Sequence, residues 1–318
     1  MKKTCILAIE TSCDDTSLAL VQNNKLINEC TSTSLKEHIK FGGIVPEIAA
    51  RSHEQNISSC LLKIFHNTKI KYQDLTHIAY TDQPGLPGSL HIGKVFAKSL
   101  ANLTNSKLIP TNHMNGHIFS FSINKQKIKY PFLSLVASGG HTSIYLIKSS
   151  KDIKLLNATK DDAVGETLDK IGRSINLPYP GGISIDKVYD RNKVQLKMIN
   201  HFPPSQQFSF SGLKTHVLNY VNSQKMKKTK IDKILVASSS LEWIVDELIR
   251  KILFYSKKYK INTIAIGGGV SANKLLRKKL SLTKLKIYLP ELKYCGDNAT
   301  MIAAYANLII NNNYLSDN

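Results

Sequence analysis

Two histidines, His113 and His117, stand four residues apart in the segment His-Met-Asn-Gly-His. On a helix their imidazoles lie on one face about one turn apart, where they can bind a single metal ion. The residues just before them, Pro-Thr-Asn at 110–112, are typical of a helix start. Asp297 is a candidate third ligand, although an aspartate at that place could equally cap the last helix. The residue after His113 is Met rather than the Glu of an HExxH motif, so a zinc peptidase is disfavoured.

Two glycine-rich segments are candidates for nucleotide binding. Residues 138–141, Ser-Gly-Gly-His, separate two apolar segments, and three glycines at 267–269 precede Asn273 at the start of a helical segment. Small residues leave backbone N–H groups free to face a phosphate, and glycines let a flat base approach the backbone closely. A plain hairpin turn is the other interpretation of the first segment. Together the two segments favour a nucleotide ligand.

Acidic residues are scarce in this chain, so their positions carry information. Asp161, Asp162, Glu166 and Asp169 cluster in one short segment, and Asp186 follows the sequence Tyr-Pro-Gly-Gly. Carboxylates accept hydrogen bonds from ribose hydroxyls in dinucleotide-binding folds. Helix capping and surface solvation are equally compatible with this spacing.

Alternating strand and helix patterns predict an α/β protein. A strand, a small polar turn and a second strand occur twice, once in each half of the chain. One helix is predicted over 241–253, beginning with a capping box of Ser239 and Glu242, and a last helix over about 298–310. The predicted strands are 5–9, 17–22, 132–137, 142–148 and 263–266.

The chain has 318 residues and a net charge of +20, carried mostly by lysine. Such a charge indicates either an anionic partner such as nucleic acid or the codon usage of an AT-rich genome. Four basic residues beside the glycine triplet are candidates for contacts with RNA phosphates, namely Lys274, Arg277, Lys278 and Lys279. The lysine-rich stretch 225–233 is predicted to be an exposed loop.

The five cysteines include no CxxC pair, which is typical of a reducing compartment. No apolar run approaches the roughly 20 residues of a membrane span, and the apolar run at the N-terminus is too short for a signal peptide. We therefore expect a cytoplasmic protein without membrane partners, an organelle being the alternative location.

These motifs, taken in order along the chain, resemble the tRNA N6-adenosine threonylcarbamoyltransferase family. The resemblance implies an α/β fold of the two-lobed actin-like (ASKHA) type, with a duplicated mixed sheet flanked by helices. We predict an N-terminal lobe at 1–131, which contains the metal motif, and a C-terminal lobe at 132–318. The matching blocks are Ile9-Glu10-Thr11-Ser12-Cys13-Asp14, Gly42-Gly43-Ile44-Val45-Pro46-Glu47, Pro84-Gly85-Leu86, His113-Met114-Asn115-Gly116-His117, Ser138-Gly139-Gly140-His141-Thr142, Asp161-Asp162-Ala163-Val164-Gly165-Glu166, Tyr179-Pro180-Gly181-Gly182, Phe208-Ser209-Phe210-Ser211-Gly212-Leu213-Lys214-Thr215, Gly267-Gly268 with Val270-Ser271-Ala272-Asn273, and Cys295 with Asp297-Asn298.

The resemblance also implies a reaction and the residues that serve it. The threonylcarbamoyl group of threonylcarbamoyl-AMP passes to N6 of adenosine 37 in tRNAs that read ANN codons, and AMP leaves. One divalent metal, iron(II) or alternatively zinc(II), is held by His113, His117 and Asp297. From the chemistry, we add Asp14 as a catalytic group that assists removal of the amine proton. The implied substrate-binding residues are Val136, Ala137, Ser138, Gly139, Gly140, Asp169, Gly182, Asp186 and Asn273.

The resemblance further implies a paralogous dimer partner and a small ATPase subunit (TsaB- and TsaE-like), although some organellar relatives act alone. Other functions are also compatible with these sequence features. The chain could be a nucleotide-binding carbamoyltransferase or ATPase of the same fold, or a non-catalytic tRNA-binding scaffold of the same complex. The imidazole ligands disfavour a plain kinase, which holds Mg²⁺ with oxygen ligands.

Overall fold

The computed structural model describes residues 4–66, 68–124 and 127–311. The chain divides into two compact units. The first unit comprises the described residues up to Lys127 together with those from Pro290 onward, and the second unit is Ile128–Leu289. The predicted C-terminal lobe of 132–318 is therefore corrected at its end, because the last helix belongs to the first unit. The first boundary falls at 127/128 and not at 131/132.

The first unit contains a mixed sheet of five strands in the order β3-β2-β1-β4-β5. Strands β1, β2 and β3 form an antiparallel meander, and β4 and β5 continue the sheet in parallel with β1. The strands are β1 (Cys5–Glu10), β2 (Asp15–Gln22), β3 (Lys25–Thr33), β4 (His77–Gln83) and β5 (Lys107–Asn112).

The second unit repeats this topology with the order β8-β7-β6-β9-β10. Again three strands form an antiparallel meander, and the last two run parallel to the first. The strands are β6 (Phe132–Ala137), β7 (Thr142–Ile147), β8 (Ile153–Ala158), β9 (Thr263–Gly267) and β10 (Lys286–Tyr288). The predicted α/β class and the duplicated mixed sheet are both confirmed.

Helices flank both sheets, and short 3-10 turns connect some of them. The helices are α1 (Leu35–Ile39), α2 (Pro46–His66), α3 (Pro87–Thr104), α4 (His113–Phe119), α5 (Val164–Ser174), α6 (Gly181–Val188), α7 (Ser211–Met226), α8 (Lys233–Tyr259), α9 (Lys274–Ser281) and α10 (Ala299–Asn311). Among the described residues, none of these helices has both the length and the hydropathy needed to cross a membrane.

Both faces of β1 are buried, which explains where the C-terminal helix packs. Alternate residues of a strand point to opposite faces. Leu7 and Ile9 pack with residues of α2 and α3 on one face, whereas Ile6 and Ala8 pack with α10 on the other. The α10 face of the sheet carries the small side chains Ala8, Ala19 and Ala79, which allow close approach of the helix backbone. Burial of this second face therefore brings the C-terminal segment to the first unit.

The long helix α8 begins earlier than its apolar periodicity predicts. Asp232 caps it, because its side chain accepts hydrogen bonds from the N–H groups of Ile234 and Leu235, both at 3.0 Å. The predicted capping box at Ser239 is wrong, since Ser239 lies inside the helix and its Oγ accepts from the N–H of Leu196 at 3.1 Å. Ser, Ala and Val between the cap and the apolar stripe continue the helix because tertiary packing buries them.

Candidate metal centre and phosphate-binding turn

Helix α4 places the two histidines of the first unit on one face. Asn112 ends β5 and caps the helix, because its Oδ1 accepts from the N–H of Met114 at 2.9 Å and of Asn115 at 3.3 Å. The predicted helix start is therefore confirmed. His113 and His117 occupy the first and fifth positions, and their ring centroids lie 4.6 Å apart.

Asp297 lies beside both imidazoles. Its Oδ1 is 3.1 Å from His117 Nε2 and 3.5 Å from His113 Nε2. One ligand atom from each of the three residues lies within 4.8 Å of the other two. The alternative role of helix capping belongs to the next residue, since Asn298 Oδ1 accepts from the N–H of Met301 at 2.9 Å. The structure thus brings the three predicted ligands together within one unit.

Glu10 supports this group, and sequence reasoning did not assign it a role. It is fully buried at the end of β1. Its Oε2 lies 3.0 Å from His113 Nδ1 and accepts from the Thr81 hydroxyl at 2.6 Å, while Oε1 accepts from the N–H of Ser12 at 2.6 Å. A carboxylate at Nδ1 keeps one imidazole proton there, so Nε2 is the nitrogen that can bind a metal ion once it has lost its own proton. A charged residue directly after an apolar strand was the signal that could have identified it.

Burial and charge act in opposite directions on the two imidazoles. Burial lowers the pKa of His113, but the carboxylates of Glu10 and Asp297 outweigh it and raise that pKa to about 9. For His117, burial prevails and lowers the pKa. His117 Nδ1 is buried and has no hydrogen-bond partner among the described residues.

The donor set fits a single divalent ion of the iron or zinc type. Two imidazole nitrogens and one carboxylate oxygen are the ligands of many Fe(II) and Zn(II) sites, whereas Mg²⁺ prefers oxygen alone. The carboxylate at His113 Nδ1 is the outer-shell partner that metal-binding histidines usually have. The three side chains therefore have both the chemistry and the spacing of a metal centre.

Asp14 lies in the turn between β1 and β2 of the same unit. Burial raises the pKa of its carboxyl, and the charge of Asp297 raises it further. The neighbouring Asp15 has a pKa raised to about 7, first by burial and then by Asp14. His53 holds this turn from α2, because its ring nitrogens lie 3.0 Å from the Cys13 carbonyl and 2.8 Å from the Thr16 hydroxyl. His53 is a second residue that the sequence interpretation missed.

In the second unit, residues 138–141 form the tight turn between β6 and β7. The Ser138 N–H donates to the His141 carbonyl at 2.8 Å, and the Ser138 hydroxyl accepts from the His141 N–H at 3.2 Å. Gly139 and Gly140 are exposed, and a Cβ placed on either would meet no atom within 4 Å. Val136 and Ala137 are fully buried, so only their backbone is available to a ligand.

Two neighbouring segments hold this turn in place. The N–H groups of Gly165 and Glu166 at the start of α5 donate to the Ser138 and Gly139 carbonyls at 3.1 and 3.2 Å. A Cβ on Gly165 would lie 2.7 Å from the Ser138 oxygen, so only glycine permits this approach. Gly268 has a φ of 86° and packs against the backbone of Ala137 in the same way. The turn is a preorganised cradle with open backbone at its tip.

The predicted nucleoside contacts form two pairs in the second unit. Asp169 Oδ1 accepts from the N–H of Gly182 at 3.4 Å and of its neighbour Gly181 at 2.7 Å. Asp186 Oδ1 accepts from Asn273 Nδ2 at 2.8 Å, and Asn273 Oδ1 caps α9. Burial raises the pKa of both aspartates. These carboxylates therefore order the glycine-rich segments around them.

The other members of the acidic cluster have structural partners. Asp161 Oδ1 accepts from the backbone N–H of Phe210 at 2.8 Å. Asp162 pairs with Lys214 at 2.6 Å and with Lys170 at 3.1 Å. Lys170 also pairs with Glu166 at 2.7 Å. The structural interpretation of these three carboxylates is thus the better one.

The predicted phosphate contacts near α9 need one correction. Lys279 pairs with Glu242 and with Asp246, both at 2.5 Å, so carboxylates already neutralise its charge. Arg277 Nε donates to the Ser271 carbonyl at 2.7 Å. Lys274 and Lys278 are exposed.

Two solved structures with a similar fold are distant from this chain in sequence. Full-length HypF in the phosphate- and nucleotide-bound form matches with a TM-score of 0.62 at 14% identity, over 99% of this chain and 56% of that one. HypF of T. kodakarensis matches with a TM-score of 0.64 at 11% identity, over 99% and 48% of the two chains. These likenesses concern the fold alone, and they confirm the predicted actin-like type.

Sequence comparisons identify the family. The model for tRNA N6-adenosine threonylcarbamoyltransferase (TsaD) matches residues 25–304. A protein of that name from Ureaplasma parvum is 52% identical over 307 residues, which is 96% of each chain. Another from Mycoplasma pneumoniae is 42% identical over 316 residues, covering 96% of this chain and 97% of its own. This chain therefore belongs to the tRNA N6-adenosine threonylcarbamoyltransferase family and is a transferase that modifies tRNA.

Proposed function

We propose that this protein transfers the threonylcarbamoyl group of threonylcarbamoyl-AMP to N6 of adenosine 37 in tRNAs that read ANN codons, releasing AMP. The observation that carries the proposal is the cluster of the buried His113 and His117 with the half-buried Asp297, in a chain whose family is named for this transfer. In the reaction a bond forms between N6 and the carbamoyl carbon, the bond from that carbon to the phosphate oxygen breaks, and the amine loses one proton.

The three clustered side chains would hold one divalent metal, with iron(II) preferred and zinc(II) as the alternative. When bound, such an ion would polarise the carbamoyl carbonyl as a Lewis acid. Glu10 keeps His113 in the tautomer that presents Nε2 as a ligand atom, and α4 keeps both imidazoles on one face. Glu10, His113 and His117 support the proposal because they are buried and contact one another or Asp297 within one unit.

In the second unit, the turn at 138–140 would hold the phosphate of the donor. Gly139 and Gly140 are exposed residues, and preorganised backbone donors stabilise a leaving phosphate without having to reorient. Val136 and Ala137 would contribute through their backbone. Asp169 with Gly182, and Asp186 with Asn273, would contact the nucleoside, which is consistent with the order these pairs impose on their loops.

Asp14 would accept the proton that N6 loses. Its pKa is raised by burial, and a carboxylate with a raised pKa is a stronger base than one in water. His53 would support this role by holding the turn that carries Asp14. The substitution Asp14→Asn at constant metal content should lower the transfer rate by roughly a hundredfold or more.

We further propose that the protein acts in the cytoplasm with a paralogous dimer partner and a small ATPase subunit.

The direct test incubates the purified protein with threonylcarbamoyl-AMP and an unmodified ANN-decoding tRNA. The tRNA is then digested, and threonylcarbamoyladenosine is measured by mass spectrometry, alone and after addition of candidate partner proteins. We expect product with the wild type and a loss of product in His113→Ala and Asp297→Ala. Glu54→Gln is the matched control, because this carboxylate of the first unit is exposed on α2 and lies outside the blocks that match the family.

Two outcomes would overturn the proposal. Absence of product with every partner combination would leave a tRNA-binding scaffold. Release of AMP without any threonylcarbamoyladenosine in the tRNA would instead indicate a nucleotide hydrolase of the same fold.

A further inference from the structure

The corner between α7 and α8 presents a dense group of lysines. Helix α7 ends at Met226, and α8 begins at Lys233 after its cap Asp232. Every residue from Lys225 to Lys230 is exposed, and Met226 is 84% exposed. We call the four lysines of this segment the basic corner; they are Lys225, Lys227, Lys228 and Lys230.

The basic corner lacks neutralising carboxylates. Across the described parts of the chain, none of its four ammonium groups forms an ion pair, and no acidic residue lies between Lys225 and Ile231. Asp232 is near in sequence, but it caps α8 and pairs with Lys193 at 3.1 Å. Two other lysines of this unit, Lys170 and Lys279, each have two carboxylate partners.

The backbone holds these charges in a defined turn. The Lys228 N–H donates to the Lys225 carbonyl at 3.0 Å, and the Thr229 N–H donates to the Gln224 carbonyl at 3.0 Å. Lys228 has a φ of 54°, a left-handed conformation that glycine or asparagine usually adopts at the end of a helix. The basic corner is therefore an ordered helix terminus and not a run of unstructured chain.

The helix dipole explains only part of this arrangement. Cations in the last turn of a helix interact favourably with its carbonyl end, which accounts for Lys225 and Lys227. Lys228 and Lys230 lie beyond the helix, and their charges add repulsion to the same turn. Unpaired lysines on an ordered, exposed corner are what the phosphate backbone of a nucleic acid would neutralise, with release of counterions.

We propose that the basic corner binds the phosphate backbone of the tRNA substrate. This inference rests on the proposed function, because it takes the polyanion to be the tRNA that the enzyme modifies. Lysine contacts of this kind add affinity and orientation without reading the sequence. They should therefore strengthen binding equally for all tRNAs of similar shape.

The test compares two triple variants of equal charge. Lys225→Gln/Lys227→Gln/Lys230→Gln removes three charges from the basic corner. Lys148→Gln/Lys151→Gln/Lys154→Gln, the matched control, removes three exposed lysines around the β7–β8 hairpin of the same unit. The affinity of each full-length protein for unmodified tRNA is measured by fluorescence anisotropy at several KCl concentrations.

Each lost phosphate contact should make the slope of log K against log salt less negative by about 0.7–0.9, and should lower affinity about five- to eightfold at 0.1 M salt. We therefore expect the slope of the corner variant to change by about 2–3, and that of the control to stay near the wild-type value. Equal slopes for the two triple variants would overturn the inference. So would an unchanged tRNA slope together with a loss of binding to vesicles of anionic lipid, which would assign the basic corner to a membrane surface.

The failure of this inference differs from the failure of the proposed function. If the wild type forms threonylcarbamoyladenosine and both triple variants have equal slopes, only the inference that the basic corner binds tRNA is refuted. If the wild type forms no product but binds tRNA with a slope that depends on the lysines of the basic corner, only the proposed transfer activity is refuted.

Discussion

Glu10→Gln should weaken metal binding although Glu10 is not a ligand. The substitution keeps the shape of the side chain but replaces one carboxylate oxygen by an NH₂ group, which only donates. The amide oxygen can still accept from the Ser12 N–H, so the NH₂ group then faces His113 Nδ1 at the position of the original 3.0 Å contact. His113 would respond by accepting at Nδ1 and carrying its proton on Nε2, where that proton blocks coordination.

The magnitude follows from the lost contact. A hydrogen bond to a charged group contributes about 1.5–3 kcal/mol, and loss of an outer-shell partner typically lowers metal affinity about 10–100-fold. At about 1.4 kcal/mol for each factor of ten, the two ranges agree. The Ser12 hydroxyl, 3.2 Å from the same nitrogen, can replace part of the interaction but brings no charge. We therefore expect a loss of roughly 30-fold.

The assay is equilibrium dialysis against zinc, and against iron(II) without oxygen, in the presence of a chelator of known affinity. Bound metal is counted by mass spectrometry of the element. Asp297→Asn is the positive control, because it changes one of the three proposed ligands. Glu29→Gln is the matched control, since this half-buried carboxylate of the same unit accepts from the Thr300 hydroxyl at 2.7 Å and is not one of the clustered metal-ligand residues. Wild-type affinity in Glu10→Gln, together with a clear loss in Asp297→Asn, would refute the tautomer argument.

Three further predictions concern stability and pH. Gly268→Ala should lower the free energy of unfolding by about 2–4 kcal/mol, because of its positive φ and a backbone oxygen 2.3 Å from the added Cβ; urea denaturation should show little change in Gly269→Ala, where no atom lies within 4 Å. Lys251→Met should destabilise by about 3 kcal/mol because it removes the buried ammonium partner of both Glu247 and the Gln206 carbonyl; wild-type stability of Lys251→Met in urea denaturation would contradict this account. Backbone N–H groups and Lys193 lower the pKa of Asp232, so its charge stabilises the fold above the unfolded pKa and ceases to do so as the pH falls through the lowered pKa; thermal melts should show Asp232→Asn less stable at pH 7 and equal to the wild type once that carboxyl is protonated.

Local patterns in the sequence determined much of the fold and part of the site. Short apolar runs identified β1, β2, β6, β7 and β9 but not the other five strands, and the polar cap Asn112 identified the start of α4, because such signals act over a few residues. The spacing of His113 and His117 predicted a shared helix face for the same reason. The glycine turn at 138–141 was visible because the residue types that permit it are few.

Only the tertiary structure decided which distant segments meet. Asp297 and His117 are 180 positions apart. From the sequence, Asp297 could cap a helix or bind a metal, and only the packing of α10 on the first sheet shows that it lies beside the histidines. The same packing overturned the predicted end of the C-terminal lobe. The sequence predicted that Lys279 contacts phosphate because its neighbours in sequence are basic. In the structure it forms ion pairs with Glu242 and Asp246 of α8 instead. Glu10 gained its role from a histidine 103 positions away. Such pairings depend on how buried faces are shared between elements, which a residue's own neighbours in sequence do not specify.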